Sequence, residues 1–223
     1  MSSETVLNVK TAKKALRKEI WTRLEAEGVA RFPLPCFGHV PNFEGSDKAA
    51  QNIRLLKEWT EAKVIFVNPD FAQQKIRECA LLDGKLLVMA SPRLKHGYLL
   101  VDPIKVRGLE SYASTIRGAF THGKTVNLQG MPKPNLIVEG SVAVDLKGNR
   151  LGKGGGYGDT EINILKEKFG PLPVVTMVHE LQVVESVPFE EKDEKVLIIV
   201  TPERVIRVSR GKHANGKEMS SSA

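Results

Sequence analysis

The chain has 223 residues, of which 41% are hydrophobic and 26% charged, and this composition excludes wholesale disorder. No apolar run approaches the roughly 18 residues that a membrane span needs, and Cys36 and Cys79 lack metal-ligand spacing, so we expect a cytoplasmic protein with reduced thiols and no membrane contact. The net charge of +7 favours anionic partners, such as nucleotides or nucleic acid.

The first predicted element is a helix over residues 11–27, because apolar residues recur every four positions from Ala12 to Leu24. Lys13 and Arg17 are expected in its first turns, which is the end of a helix dipole that disfavours cations. An anionic group is therefore expected to compensate them.

The next stretch alternates helices with short apolar strands. Ser46 is the predicted N-cap of a second helix, and a third helix is expected over residues 71–82. Strands are predicted at residues 63–67 and 85–90. Because these strands are continuously apolar, they predict a parallel sheet that is covered on both faces.

The second half of the chain supplies further strands and two more helices. We expect one α/β domain over residues 1–210, followed by a frayed basic and Ser-rich tail over residues 211–223. A weak helix is predicted over residues 109–120 and another helix over residues 160–169. The remaining predicted strands cover residues 97–101, 135–138, 141–144, 174–178, 196–200 and 205–208.

A glycine-rich segment over residues 152–159 lies between a predicted strand and a helix. Glycines allow backbone N–H groups to converge on phosphate oxygens, since no Cβ atom blocks their approach. Lys153 adds a positive charge, and the following helix adds the positive end of its dipole. The alternative is a surface turn in which glycines only permit tight bends, and the residues alone do not decide. The glycines are Gly152, Gly154, Gly155, Gly156 and Gly158.

Residues 150–159 resemble the signature of the 5-formyltetrahydrofolate cyclo-ligase family, which reads Arg-Leu-Gly-x-Gly-x-Gly-Tyr-Tyr-Asp-Arg. The resemblance extends along the chain in the family's order. Lys13 and Arg17 resemble the family's N-terminal Lys-x-x-Leu-Arg helix, and the segment around Asp193 resembles its C-terminal block.

The sequence also departs from the family pattern. Gly158 stands where the signature has its second Tyr, and Thr160 stands where it has Arg. Both positions are expected on the side of the loop that faces the acceptor substrate. The family's Glu-x-x-Thr element of the folate pocket has no counterpart near residues 41–53. In these respects the chain is similar to a divergent branch, which includes a domain fused to an RNA-recognition module in some animal proteins.

The resemblance implies a three-layer α/β/α fold with a largely parallel sheet, of the NagB/RpiA/CoA-transferase-like class. It implies ATP with Mg²⁺, and a reduced folate as the second substrate. Lys13, Arg17 and the loop from Gly152 to Tyr157 would bind the nucleotide, and Lys153 and Tyr157 would take part in catalysis. Asp159 and Asp193 would hold the metal ion.

A different class of function stays open, namely a non-catalytic member of the same fold that binds a nucleotide or RNA. The positive charge and the departures from the folate elements favour this reading. Aromatic residues make up only 6% of the chain, however, and single-stranded RNA is usually bound on aromatic side chains. RNA is therefore the less favoured partner, and the oligomeric state is left open.

Overall fold

A computed structural model describes the backbone of residues 3–209 and the side chains of residues 8–92 and 94–209. The predicted frayed tail over residues 211–223 lies outside the described residues. The α-helices of the described part are α1 (Ser3–Ala26), α2 (Ser46–Arg54), α3 (Lys57–Thr60), α4 (Gln74–Leu82), α5 (Glu110–Ala113), α6 (Ile116–His122) and α7 (Tyr157–Phe169).

The strands form one large sheet and two small ones. In chain order they are β1 (Ala30–Arg31), β2 (Asn42–Phe43), β3 (Val64–Val67), β4 (Leu86–Ala90), β5 (Tyr98–Val101), β6 (Lys124–Val126), β7 (Leu136–Gly140), β8 (Ala143–Asp145), β9 (Arg150–Leu151), β10 (Val174–Met177), β11 (Val183–Val184), β12 (Ile198–Val200) and β13 (Val205–Arg207).

The central sheet has eight strands in the order β13-β12-β10-β7-β3-β4-β5-β6. The five strands from β12 to β4 run parallel, and antiparallel strands complete both edges. This arrangement confirms the predicted, largely parallel sheet. The strand order reverses between β3 and β7, and ligands of open α/β sheets bind beyond the carboxyl ends of the strands at such a point.

Helices cover both faces of this sheet. Along β3, Ile65 and Val67 pack in the core shared with α2 and α4, whereas Phe66 packs in the core shared with Ile162 and Leu165 of α7. Successive residues of a strand point to opposite faces, so a continuously apolar strand has to be buried on both. The predicted three-layer α/β/α architecture is confirmed.

A small sheet of β11, β8 and β9 positions the first helix. Ile20 and Leu24 of α1 are fully buried and pack against Val142, Ala143 and Leu151 in a third apolar cluster. Because β9 leads directly into the glycine-rich segment, this packing places α1 beside that segment.

Two predicted helix starts are wrong. Helix α1 begins at Ser3, so Lys13 lies near its middle and not in its first turns. Helix α2 does begin at Ser46, but its N-cap is Gly45 with a φ of 79°, and no side-chain hydrogen bond caps it among the described residues. The left-handed φ of Gly45 explains why a glycine precedes the helix.

Two other helices differ from prediction through local caps. Helix α7 begins at Tyr157 and not at Thr160, because Gly156 takes a φ of 73° and forms the N-cap. The predicted helix over residues 109–120 is split into α5 and α6, since the Thr115 side chain accepts a hydrogen bond from the Gly118 amide and starts a new helix.

Cys36 and Cys79 are both buried thiols, free of disulfide bonds within the described chain. Among the described residues, none of the helices combines the length and apolar character that crossing a membrane requires.

Candidate functional site

A cleft of about 460 Å³ opens between α1, the glycine-rich segment, the start of α7 and the segment over residues 190–193. Four cationic side chains and three carboxylates line it, which suits a polyanionic ligand held with a cation. The lining residues are Lys10, Lys13, Arg17, Gly152, Gly154, Gly156, Asp159, Thr160, Asn163, Glu190, Lys192 and Asp193.

Lys13 is held by two carboxylates at one wall of this cleft. Its Nζ donates to Glu190 Oε2 at 2.7 Å and to Asp193 Oδ2 at 2.5 Å, and the Lys13 side chain is buried. The hydrogen bond from Lys13 lowers the pKa of Glu190. The anionic partner expected for this lysine is therefore supplied by the chain itself, 177 and 180 residues further on.

Arg17 joins α1 to the glycine-rich segment. Its Nε donates to the Gly152 carbonyl oxygen at 2.7 Å, and a Cβ built on Gly154 would lie 3.5 Å from the guanidinium carbon. Gly154 has a φ of 110°, a backbone conformation that residues with a side chain rarely adopt. Burial lowers the pKa of Arg17, and the nearby carboxylates of Asp193 and Asp159 oppose this shift.

The glycine-rich segment presents alternate residues to the cleft. Among the described residues, Gly152, Gly154 and Gly156 line the cleft, whereas Lys153 and Tyr157 do not. Lys153 Nζ instead donates to Asp70 Oδ1 at 2.7 Å. The predicted site residues are thus divided, with Lys13, Arg17 and three glycines around one cleft and the two predicted catalytic residues outside its lining. Gly155 is likewise outside that lining.

A buried ion-pair network lies directly beneath the segment. Arg150 Nη1 donates to the Gly140 carbonyl oxygen at 2.9 Å, and its Nη2 donates to Asp159 Oδ1 at 2.7 Å. Glu139 Oε1 lies 3.4 Å from the same guanidinium. Glu139 is not among the predicted site residues, and the one signal for it in the sequence is a charged residue at the end of an apolar strand.

The two departures from the family signature point in different directions. A Cβ on Gly158 would lie 2.3 Å from Glu139 Oε1 and 2.9 Å from Arg150 Nη2, so this glycine faces the buried network. Thr160 lines the cleft together with Arg17. The expectation that both face one acceptor side of the loop is therefore wrong, because a residue at 158 and a residue at 160 lie on different faces of helix α7.

Two buried carboxyl groups adjoin the network on its inner side. Burial raises the pKa of Glu139 to about 7, although the Arg150 guanidinium opposes the shift. Burial, reinforced by the charges of Glu139 and Asp70, raises the pKa of Glu161 to about 8. The side-chain amide of Asn68 lies 3.4 Å from Glu161 Oε2. Glu161 is therefore largely protonated near pH 7, whereas Glu139, beside Arg150, is partly ionised.

The predicted metal ligands both line the cleft, but they have different partners. Asp159 Oδ1 accepts hydrogen bonds from Arg150 and from the Glu194 amide, while Asp193 Oδ2 accepts from Lys13 and from the Glu190 amide. Within residues 8–92 and 94–209, the structure has no cluster of three or more His, Cys, Asp or Glu side chains suited to a metal ion. A metal held by one or two carboxylates together with ligand phosphates does not need such a cluster.

Comparison with known proteins identifies relatives of the chain. Residues 9–202 match the model of the 5-formyltetrahydrofolate cyclo-ligase family. A methenyltetrahydrofolate synthase domain-containing protein of Bos taurus is 36% identical over 204 residues, which cover 87% of this chain and 53% of that protein. The protein of the same name from Homo sapiens is 35% identical over 207 residues, or 89% of this chain and 54% of that protein. The chain thus spans about half the length of these relatives.

A solved structure shows the same fold. The 5,10-methenyltetrahydrofolate synthetase of Aquifex aeolicus superposes with a TM-score of 0.59 at 23% identity, covering 92% of this chain and 99% of that one. At this identity the similarity establishes the architecture of the chain.

The contact between Gly158 and Glu139 predicts the effect of a small substitution. Gly158→Ala should lower the free energy of unfolding by about 1–3 kcal/mol, because the added methyl group overlaps the buried carboxylate. Chemical denaturation of the variant, with Gly130→Ala as the control, measures the loss. The loss should shrink in a Glu139→Ala background. A stabilisation, as helix propensity alone would give, would contradict this contact.

The raised pKa of Glu161 predicts a pH dependence of stability. The folded chain holds a proton on Glu161 up to about pH 8, whereas the unfolded chain releases it near 4.5. Between these values stability therefore falls as pH rises, by up to about 1.4 kcal/mol per pH unit. Urea denaturation from pH 5 to pH 8 should show a shallower decline for Glu161→Gln than for the wild type. The exposed control Glu167→Gln should keep the wild-type slope, and an unchanged slope in Glu161→Gln would contradict the burial argument.

Proposed function

The chain belongs to the 5-formyltetrahydrofolate cyclo-ligase family, and we propose that it uses ATP to convert 5-formyltetrahydrofolate to 5,10-methenyltetrahydrofolate, releasing ADP and phosphate. The observation that carries this proposal is the convergence of Lys13, Arg17 and three glycines, Gly152, Gly154 and Gly156, on one cleft. These residues come from two separate parts of the chain, helix α1 and the glycine-rich segment, and a phosphate cradle requires them together.

Binding of the triphosphate is assigned to the cleft. The backbone amides around Gly154 and Gly156 would donate to phosphate oxygens, and the first turn of α7 would add the positive end of its dipole. Arg17 and Lys13 would neutralise phosphate charge. Phosphoryl transfer needs little covalent help from a protein, so positioning and charge neutralisation are the main tasks of these side chains.

The reaction itself balances without a further reactant. The bond between the γ-phosphorus and the ADP oxygen breaks, and a bond from phosphorus to the formyl oxygen forms. N10 of the folate then attacks the activated formyl carbon and loses its proton, and phosphate leaves with the former formyl oxygen. Lys153 and Tyr157 belong to the glycine-rich segment that borders the cleft, although they are outside its lining, and we assign this transfer to them.

A Mg²⁺ ion fits the oxygen ligands of the cleft. Asp159 and Asp193 are placed alike, because one oxygen of each accepts two hydrogen bonds. Asp159 Oδ1 accepts from Arg150 and the Glu194 amide, and Asp193 Oδ2 accepts from Lys13 and the Glu190 amide. The ion would supply positive charge to the phosphates. Asp193 would then exchange its bond with Lys13 for the metal, which would free the lysine for a phosphate.

The second candidate is a member of the family that binds a nucleotide or RNA without turning over folate. The contact of Gly158 with Glu139 favours it, since the carboxylate occupies the space where the signature's second Tyr would begin. Binding of single-stranded RNA that weakens steeply with salt would support this candidate.

An activity measurement tests the proposal. Wild-type protein mixed with ATP, Mg²⁺ and 5-formyltetrahydrofolate should produce the absorbance of the methenyl product. Arg17→Met should weaken ATP binding by about 10- to 100-fold, because a charged hydrogen-bonding group is lost from the cleft. The control Arg23→Met changes a more exposed arginine of the same helix and should bind ATP as the wild type does. Absence of product with intact ATP binding would leave the second candidate, and absence of ATP binding would exclude both nucleotide functions.

A further inference from the structure

The glycine-rich segment separates two sides of different charge. On the cleft side, Lys10, Lys13, Arg17 and Lys192 outnumber the three carboxylates. On the other side, Lys153 meets Asp70, and the charges of Asp70 and Glu139 act on the buried carboxyl group of Glu161. A resting triphosphate belongs on the cationic side, whereas Lys153 lies on the acidic one.

The Lys153–Asp70 pair has one rigid and one flexible member. Asp70 lies three residues after β3, and the fully buried Arg77 donates through Nη1 to the carbonyl oxygens of both Asn68 and Asp70. The Asp70 side chain is 16% exposed. Lys153 is 41% exposed and stands on a glycine-rich segment. Asp70 therefore sets the position of the ammonium group, and not the reverse.

The Lys153–Asp70 pair lies beyond the strands between which the strand order of the sheet reverses. Asp70 follows the carboxyl end of β3, and Glu139 is the residue before the last in the neighbouring strand β7. Ligands of open α/β sheets bind beyond these strand ends. Lys153 thus lies between the cleft on one side of the segment and the strand ends on the other.

We propose that Asp70 is a positioning residue, which holds the Lys153 ammonium on the side of the glycine-rich segment where the acceptor substrate is phosphorylated. There the cation neutralises the phosphoryl group during its transfer and contributes little to binding of the resting nucleotide. This inference rests on the proposed function and adds to it the place of the acceptor, at the carboxyl ends of β3 and β7.

A kinetic experiment separates this role from nucleotide binding. Asp70→Asn should lower kcat for methenyl formation by about 10- to 100-fold, because the ammonium loses its fixed position. The Kd of ATP should change by less than about twofold. Asp70→Glu should restore part of kcat, and Asp47→Asn, at an exposed aspartate of α2, should leave both values unchanged. Asp70→Asn should cause no further loss in a Lys153→Met background, since the two residues act as a unit. A tighter Kd of ATP in Asp70→Asn would overturn the proposal, and so would kcat losses that add up in the double variant.

A second experiment does not depend on turnover. Limited treatment with an amine-reactive reagent, followed by mass spectrometry, measures the modification rate of Lys153 relative to the exposed Lys147. Asp70→Asn should raise this rate by about two- to fivefold. A non-hydrolysable ATP analogue should not restore protection in that variant. Protection by the analogue would show that Lys153 reaches the resting phosphates and would overturn the proposal. An inactive wild type would refute the proposed function, while this measurement would still decide the position of Lys153.

Discussion

The buried guanidinium of Arg150 is the interaction on which the rest of the site depends. Arg150 begins β9, the short strand that leads into the glycine-rich segment, and its two terminal nitrogens bind the end of β7 and the first turn of α7. A guanidinium that is buried away from water needs carboxylate partners, and Glu139 and Asp159 supply them. Both ends of the segment are therefore tied to the central sheet. The loop between them keeps its shape although it consists mostly of glycine.

The Arg150 interactions explain why the residues of the segment fall into two groups, those that line the cleft and those that do not. Because β9 and α7 hold both ends of the segment, three of its glycines line the cationic cleft, while Lys153 binds Asp70 beyond the end of β3. Helix α1 adds Arg17, whose Nε donates to the Gly152 carbonyl oxygen. The cleft that we propose for the nucleotide therefore combines the backbone of the segment with long cationic side chains. On the side of Lys153 lie carboxyl groups, among them those of Asp70 and Glu139.

The sequence predicts most of the framework and part of the site. Continuously apolar strands are buried on both faces, so their pattern leads directly to the parallel sheet and its three layers. Gly45 and Gly156 start helices through left-handed backbone conformations, which propensity does not reveal. Partners far apart in the chain are also beyond sequence patterns. The pairs of Lys13 with Asp193 and of Lys153 with Asp70 depend on how the sheet is ordered. The family resemblance indicates the residues around the cleft but not Glu139, whose carboxyl group occupies the space that a side chain at residue 158 would need. The roles of the site residues and the single domain over residues 1–210 stay predictions.

A crystal structure with a non-hydrolysable ATP analogue and Mg²⁺ tests the central claim most directly. The account predicts that the phosphates lie in the cleft, against the amides of the glycine-rich segment and the side chain of Arg17, with Lys153 still on the Asp70 side. A nucleotide bound elsewhere, or phosphates that lie on the acidic side of the segment, would contradict it.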